Sequence, residues 1–435
     1  MENKLTAPRG THDILPDKTA EWLWLEGILR GVADRYSYRE IRFPTFEHTE
    51  LFLRGVGETT DVVQKEMYTF EDKGGRSITL RPEGTASVVR AFVEHSLYAS
   101  ALPLKVYYIA PNFRYEKPQA GRMREHHQFG VECFGSASPL ADAEVIGLAR
   151  DYIAELGLEG ITLHINSLGC GACRPDYNRD LRSYFEARSS EMCDTCKNRV
   201  ARNPLRIMDC KNPSCASLAS AAPSTLDFLC SDCRLHGERL ETHLAAMKVP
   251  FVHDPLLVRG LDYYTRTVFE FQSDKIGSQG TVCGGGRYDR LVENLGGPPT
   301  PGLGFGSGME RLLMVCKAQG ITPPEHGKCQ VYIATRGERA EVFATGLVAE
   351  LRALGQTVER DLMGRSLKAQ MKAADRIGAA WTLVLGDDEL DSGTGMLKRM
   401  DGSGDVACEL DAGIIACKTG RSPGVQQNEN EGKSQ

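Results

Sequence analysis

Eight of the fourteen cysteines fall between Cys170 and Cys233. Three Cys-x-x-Cys pairs (Cys170/Cys173, Cys193/Cys196, Cys230/Cys233) and one wider pair (Cys210/Cys215) are separated by 19, 13 and 14 residues. This is zinc-ribbon spacing: each pair offers two thiolates from one turn of chain, and eight would fill two tetrahedral sites. Reduced thiols packed as small hydrophobes, or redox-active pairs, share the same pattern. A second chemistry lies in "APNFRYEKPQAGRMREHHQFGVECFG", Ala110 to Gly135, where arginines, glutamates and histidines crowd an apparent β-hairpin. Successive strand side chains face opposite sides, so Asn112, Arg114 and Glu116 share one face with Gln128, Glu132 and Phe134, while Phe129, Val131 and Cys133 take the other. One face is apolar and reads as core. The other gathers charge that either meets water, as in many antiparallel sheets, or meets a ligand. His126 and His127 read as surface residues of the hairpin.

Three further stretches set polar groups where elements meet. "TLRPEGTASVVRAF" puts Glu83 and Thr85 at the start of a helix behind Pro82, where an acid favours the helix dipole, so capping alone would explain Glu83. "DPLLVRGLDYYTRTVFEFQS" carries Arg259 at a bend before a strand, and a surface charge is the usual fate of such an arginine. "PGLGFGSGMERLLMV" reads as a strand, a glycine-rich turn and a helix, with Ser307 and Glu310 at capping-box spacing. The cap would account for Glu310, but not for so many glycines or for Arg311 beside them. The run Gly302 to Gly306 is no dinucleotide fingerprint, because no βαβ unit surrounds it.

The whole chain bounds these readings. Its 435 residues, 41% apolar and 25% charged, suffice for two or three domains with proper cores. No stretch approaches the ~18 to 20 apolar residues of a membrane span, and "MENKLTAPRG" lacks the apolar core of a secretory signal, so the expectation is a cytoplasmic protein. A net charge of −6 gives no global support for nucleic-acid binding, which would need local basic faces. Composition and punctuation divide the chain into 1–165, mixed α/β; 166–245, cysteine-rich; 246–325, β- and glycine-rich; 326–420, compact α/β; and 421–435, a polar tail expected to be disordered. The prolines and glycines of "GITPPEHGK" suit a linker. In the last segment "RSLKAQMKAADRIGA" reads as a helix from Ser366 to a terminating Gly378, with Lys368, Lys372 and Arg376 striped opposite Leu367, Met371 and Ala374.

Together these stretches resemble one family. The hairpin is similar to motif 2 of class II aminoacyl-tRNA synthetases, "GFGSGMERLL" to motif 3, and "YREIRFPTFEHTELFLRGVG" to motif 1 with its proline at Pro44. "LVRGLDYYTRTVFEF" and "SQGTVCGGGRYDRLVENLGG" resemble the two signature peptides of histidyl-tRNA synthetases, and "RGTHDILP" their amino-terminal opening. The resemblance implies an α+β class II fold: an antiparallel sheet flanked by helices, a cysteine-rich insertion and a C-terminal α/β anticodon-binding domain. It implies activation of L-histidine by ATP with Mg2+, then transfer to the 3′ end of tRNA(His), by a homodimer whose interface motif 1 builds. It places Arg114 and Arg259 as the catalytic pair at the α-phosphate; Arg114, Glu116, Arg122 and Arg311 on ATP; and Glu83, Gly84, Thr85, Gln128, Glu132, Tyr263 and Tyr264 around histidine. It makes tRNA contacts by Lys368, Lys372 and Arg376 an expectation. It sets the insertion near the tRNA acceptor arm, so damage there should weaken transfer and spare adenylate formation. Structural Zn2+ in that insertion is a separate reading of its eight cysteines.

Two rivals stay open at this point. A catalytically silent paralogue regulating histidine biosynthesis would generally lack the C-terminal domain and the arginines. A class II synthetase for threonine, proline or glycine would lack the peptide around Arg259.

Overall fold

The computed structural model describes residues 5–58, 60–275, 280–324 and 329–420; the polar tail and the centre of the linker lie outside them. The chain divides into two compact units, Met1–Thr322 and Pro323–Gln435. The strands of the first are β1 (Arg39–Glu40), β2 (Phe46–His48), β3 (Tyr68–Glu71), β4 (Ser77–Leu80), β5 (Leu104–Phe113), β6 (Glu125–Phe134), β7 (Ile161–Ser167), β8 (Val252–His253), β9 (Thr265–Ser273), β10 (Thr281–Arg287) and β11 (Gly302–Gly308). Its helices are α1 (Pro16–Arg35), α2 (Thr49–Val56), α3 (Thr85–Glu94), α4 (Pro139–Glu155), α5 (Arg174–Glu186), α6 (Asp194–Arg202), α7 (Pro213–Ser220), α8 (Ser231–Ala246), α9 (Leu291–Asn294) and α10 (Met309–Ala318). Eight strands form a sheet in the order β1-β5-β6-β11-β10-β9-β7-β8, and β2, β4 and β3 form a smaller one. The large sheet is antiparallel except at its margins, where β1 runs parallel to β5 and β8 to β7.

The two faces of this sheet have different work. Phe129, Val131 and Cys133 of β6, Phe269 and Phe271 of β9 and Phe305 of β11 pack on Leu25 and Leu29 of α1, Ile146 and Tyr152 of α4, and Leu312 and Val315 of α10. Each fully buried side chain of this size contributes roughly 1.5–3 kcal/mol, so the back face anchors the sheet. Helix α4 starts cleanly: Pro139 suits its first turn, and Ser138 Oγ accepts from the Leu140 N–H at 3.2 Å. The opposite face carries Val106, Tyr108, Ala110, Tyr263, Tyr264 and Tyr288. The cysteine-rich stretch lies within this first unit and shares its core, since Tyr177, Leu181 and Phe185 of α5 join the same cluster.

The hairpin pairs in the parity expected of it, with Val106 opposite Glu132, Ala110 opposite Gln128 and Asn112 opposite His126. Its strands stop at Phe113 and Glu125, so Arg114, Glu116 and Arg122 belong to the connecting loop rather than to the sheet. The glycine-rich segment differs from its reading. No turn interrupts it: β11 runs through Gly302–Gly308, paired on both sides, and α10 follows at once. The glycines are there for lateral room. A Cβ on Gly304 would overlap the Glu132 carboxylate, and one on Gly306 the Gln128 amide.

In the second unit β12 (Val331–Thr335), β13 (Val358–Arg360), β14 (Trp381–Leu385), β15 (Thr394–Arg399) and β16 (Asp405–Glu409) are ordered β13-β12-β14-β15-β16. Helices α11 (Glu338–Ala353), α12 (Leu367–Arg376), α13 (Asp387–Ser392) and α14 (Ala412–Thr419) accompany them. Helix α12 starts after Ser366, and Gly378, just beyond its end, takes the left-handed conformation (φ 67°) that closes a helix. Among the described residues no helix is long and apolar enough to cross a membrane.

Candidate active site and cysteine clusters

A cleft of about 360 Å³ opens on the polar face of the large sheet. Arg114, Glu116, Arg122 and His126 reach it from the hairpin and its loop, Arg259 from the bend before β9, Glu270 from β9, and Glu310 and Arg311 from the first turn of α10. Arg114 is braced by its Nε–H, which donates to the Pro82 carbonyl at 2.8 Å. Arg311 donates from Nε to the Gly121 carbonyl (3.0 Å) and from Nη1 to the Thr281 carbonyl (2.9 Å). Arg122 forms an ion pair with Glu116. Arg259 is paired with Glu270, whose other oxygen accepts from Thr281 Oγ1 at 2.7 Å and from Gln272 Nε2 at 3.0 Å. Burial works against the Arg259 charge, but Glu270 and Tyr264 outweigh it and hold the guanidinium more firmly protonated. A Cβ on Gly284 would strike that guanidinium, so the bare backbone of β10 is its seat. Several fixed cations thus face one volume, an arrangement suited to a polyanion.

Beyond Gln128, on the same strand, lies a cluster of buried polar side chains. Glu132 is fully buried; Thr85 Oγ1 donates to its Oε1 at 2.7 Å, and the Tyr288 hydroxyl donates to its Oε2. Burial pushes the Glu132 carboxyl up to about 8; the two hydroxyl donors oppose this and the nearby Glu83 charge adds to it. Glu83 accepts from the backbone N–H groups of Thr85 (2.9 Å) and Ala86 (2.7 Å), so it does cap α3 while also facing that cluster. Burial raises its pKa as well. Gln128 Oε1 accepts from Asn112 Nδ2 at 3.0 Å and from the Tyr108 hydroxyl at 3.3 Å, fixing its amide. Tyr263 sits with its ring 4.7 Å from that of Tyr264 and 5.7 Å from that of Tyr288. Its hydroxyl donates to Glu83 at 3.5 Å. Gly84 has no room for a side chain beside Tyr108. Carboxylates, an amide and phenols gathered in the interior suit a small ligand with its own donors and a cationic amine.

Sequence reasoning misread four positions here. Gly308, not Ser307, is the N-cap of α10, and Ser307 Oγ turns inward to donate to the Val282 carbonyl at 2.7 Å. Glu310 is therefore no capping-box residue: it accepts from the His127 N–H at 2.9 Å and lies 3.0 Å from His127 Nδ1. The histidines are not surface residues either. His127 packs edge-on against Trp22 at 4.8 Å, and His126 lines the cleft, where burial and the charges of Arg114 and Arg311 push its pKa down to about 3. Glu270 and Tyr288 were missed altogether. The alternation Val268-Phe269-Glu270-Phe271-Gln272 already puts Glu270 on the face opposite the phenylalanines, which was the available signal. Nothing local marks Tyr288, whose role depends on a partner from β6.

The eight cysteines form two sets, Cys170, Cys173, Cys230 and Cys233, and Cys193, Cys196, Cys210 and Cys215, the sulfurs of each lying within 4.8 Å of one another. The first pair along the chain therefore joins the last, and the second joins the third. Separations of 3.7 Å (Cys170–Cys173), 3.9 Å (Cys170–Cys230) and 4.0 Å (Cys193–Cys210) are near the edge of a tetrahedron. With Zn–S bonds of about 2.3 Å that edge is about 3.8 Å. Backbone N–H groups point at sulfur, from Cys230 to Cys173 (3.2 Å) and from Cys193 to Cys215 (3.3 Å), as favours thiolates. All eight are free of disulfides. The insertion also reaches the cleft, where Arg206 and Asp209 line the wall.

The basic stripe of α12 is exposed at Lys368, Lys372 and Arg376, with Ala374 buried beneath.

Comparison with known proteins covers nearly the whole chain. Residues 10–189 and 198–312 match the histidyl-tRNA synthetase family profile, and 330–414 the anticodon binding domain profile. The curated histidine--tRNA ligase of Acetivibrio thermocellus is 52% identical over 412 residues, spanning 95% of this chain and 99% of that protein. That of Caldanaerobacter subterraneus subsp. tengcongensis is 54% identical, over 91% and 94%. Among solved structures, apo Staphylococcus aureus histidyl-tRNA synthetase superposes with a TM-score of 0.81 at 39% identity, covering 95% of this chain and 99% of the other.

Proposed function

This chain belongs to the histidyl-tRNA synthetase family, and on that premise we propose how its own residues divide the work. It has the class II synthetase fold and is an ATP-dependent histidine--tRNA ligase. The histidine carboxylate attacks the α-phosphorus of ATP, pyrophosphate leaves, and the tRNA terminal hydroxyl then displaces AMP from the histidyl-adenylate. Curated relatives at this identity support the ligase over the regulatory paralogue, and both the arginines and the C-terminal domain are present.

In our reading Arg114 and Arg259 offset the repulsion between carboxylate and α-phosphate and stabilise the charge that builds at transfer. Arg122 and Arg311 hold the outer phosphates and the adenine face, and Glu116 the base. Mg2+ arrives as the counter-ion of ATP. Glu132 and Tyr264 contact the imidazole, Tyr263 lines its pocket, and Glu83, Thr85 and Gln128 hold the α-amino group. The observation that carries this assignment is the convergence of Arg114 and Arg259 on one cleft whose lining includes Gln128, on the same strand as the buried Glu132. ATP–pyrophosphate exchange with histidine, threonine, proline and glycine in turn tests it. Exchange with histidine alone is expected, and exchange with another amino acid counts against it.

The remaining assignments are proposals of the same kind. The protein acts in the cytoplasm as a homodimer. Each four-cysteine group holds Zn2+, which elemental analysis of untagged protein would detect. The α12 stripe contacts tRNA phosphates, so replacing Lys368, Lys372 and Arg376 with alanine should weaken tRNA binding and reduce its salt slope by about one per lost contact. Adenylate formation should be unchanged.

A further inference from the structure

We propose that the Cys193–Cys196–Cys210–Cys215 group is a metal clamp on the nucleotide cleft, so that activation of the amino acid by ATP, and not only transfer to tRNA, depends on its ion. This rests on the reading that these cysteines bind Zn2+. The chain between Cys196 and Cys210 is the part of the insertion that lines the nucleotide cleft, whereas Arg174, beside the other cysteine group, reaches the Tyr264 carbonyl at 3.4 Å. Arg199 pairs with Asp61, and Arg206 Nη2 lies 3.6 Å from the same carboxylate. Asn203 Nδ2 donates to Asp262 Oδ1 at 2.7 Å, and Arg206 Nη1 donates to the backbone carbonyl of Arg259 at 3.1 Å. Asp61, Arg206 and Asp209 all line the cleft, and Asp209 directly precedes the ligand Cys210.

Two physical features make this wall metal-dependent. The first is size: a loop of this length cannot bury a core of its own, and short folds of this kind are held by metal or disulfide. The buried Val200, Leu205, Ile207 and Met208 complete the wall only while the ends of the loop are held, and Cys196 and Cys215 are buried among them. The second is charge. With the loop in place, Asp61 is met by Arg199 and Arg206 as well as by the exposed Lys65, whose Nζ lies 3.5 Å away. If the loop lifts away, Asp61 keeps only that exposed lysine as it faces the volume where we place the ATP phosphates, and Arg259 loses the backbone contact that holds its bend. The expectation that damage to the insertion spares adenylate formation is therefore replaced by its opposite for this second site.

The test uses full-length protein. Wild type should contain about two zinc ions per chain. Cys193→Ser/Cys196→Ser should contain about one, keep its far-UV circular dichroism, and show at least a roughly tenfold higher KM for ATP in histidine-dependent pyrophosphate exchange. A KM for ATP within about twofold of wild type in a variant lacking that ion would overturn the clamp. If the variant does not fold, the native enzyme answers instead. Zinc released to a chromogenic chelator should leave one of the two sites about fivefold more slowly when ATP is bound, because coupling between sites is reciprocal. Equal release with and without ATP would overturn it. Zinc-free wild type removes the zinc reading together with the clamp, whereas full zinc content without linkage to ATP removes the clamp alone. Histidine-dependent exchange by wild type checks the synthetase reading separately.

Discussion

Arg259 spends the resting state against Glu270, so its charge is pre-positioned and needs only a small shift to meet an oxyanion. Arg259→Ala should leave the fold intact and cost ~3–4 kcal/mol of transition-state stabilisation, a loss of two to three powers of ten in adenylate formation. Lysine should restore only part, since a point charge cannot serve both Glu270 and a phosphate. Exchange rates within about tenfold of wild type would exclude the role. Glu132 makes a prediction in pH. Burial raises its pKa from 4.5 to about 8, so between those values the folded protein keeps a proton that the unfolded chain has lost. Stability must therefore fall as pH rises through that window, with the full penalty present above its upper limit and none below its lower one. Glu132→Gln should match wild type in thermal midpoint at about pH 4.5, exceed it at about pH 9, and bind histidine poorly; parallel midpoint curves would dismiss the burial argument. Parity in the sequence was enough to find Glu132. It was not enough for Glu310, whose partner His127 is 183 residues away while a capping-box pattern is adjacent.

Strand β10 and helix α4 are joined by one buried ion pair. Arg287 is fully buried, donates from Nε to both Asp142 oxygens at 2.9 Å and from Nη2 to Oδ2 at 2.7 Å, and closes the turn before α4 by donating to the Ser136 and Ser138 carbonyls at 2.9 Å. Removing Arg287 leaves the buried Asp142 with only His236, whose Nε2 lies 3.4 Å away, so Arg287→Ala should cost about 3–5 kcal/mol in denaturant unfolding. A double replacement of Arg287 and Asp142 by leucine should cost less than the sum of the singles. A single-variant cost below about 1 kcal/mol would show the pair to be dispensable. Elements with strong local signals, such as the hairpin and α12, were readable from alternation, spacing and terminal glycine. Strand β11 was not: a run of glycines has the local signature of a turn, and only the side chains of β6 that fill the space above it make a strand of it.

At the scale of the molecule, the division of the sheet into a core face and a polar face was legible, because it follows from period-two patterning. The docking of the insertion on the cleft was not, since cysteine spacing says neither which pairs meet nor where the loop between them lies. Assembly is the remaining question at this scale, and the small sheet bears on it. Phe46 opposes Leu80 and Phe70 opposes Ile78, which puts both phenylalanines on one face, and they are 57% and 48% exposed. Apolar side chains clustered this way beside an exposed Pro44 suit a self-complementary two-fold contact. That surface is wired to the active site through the buried Arg81. It donates from Nη1 to the Phe43 and Pro44 carbonyls (3.0 and 2.7 Å) and from Nε to the Pro111 carbonyl (2.7 Å), three residues before Arg114. A symmetric homodimer is therefore expected in sedimentation at micromolar concentration. Phe46→Glu/Phe70→Glu should yield monomer, and because the brace on Pro111 is then unsupported, adenylate formation should drop at least about tenfold. A wild-type monomer with full activity would refute the dimer. A monomeric variant as active as wild type would keep the dimer and sever it from catalysis.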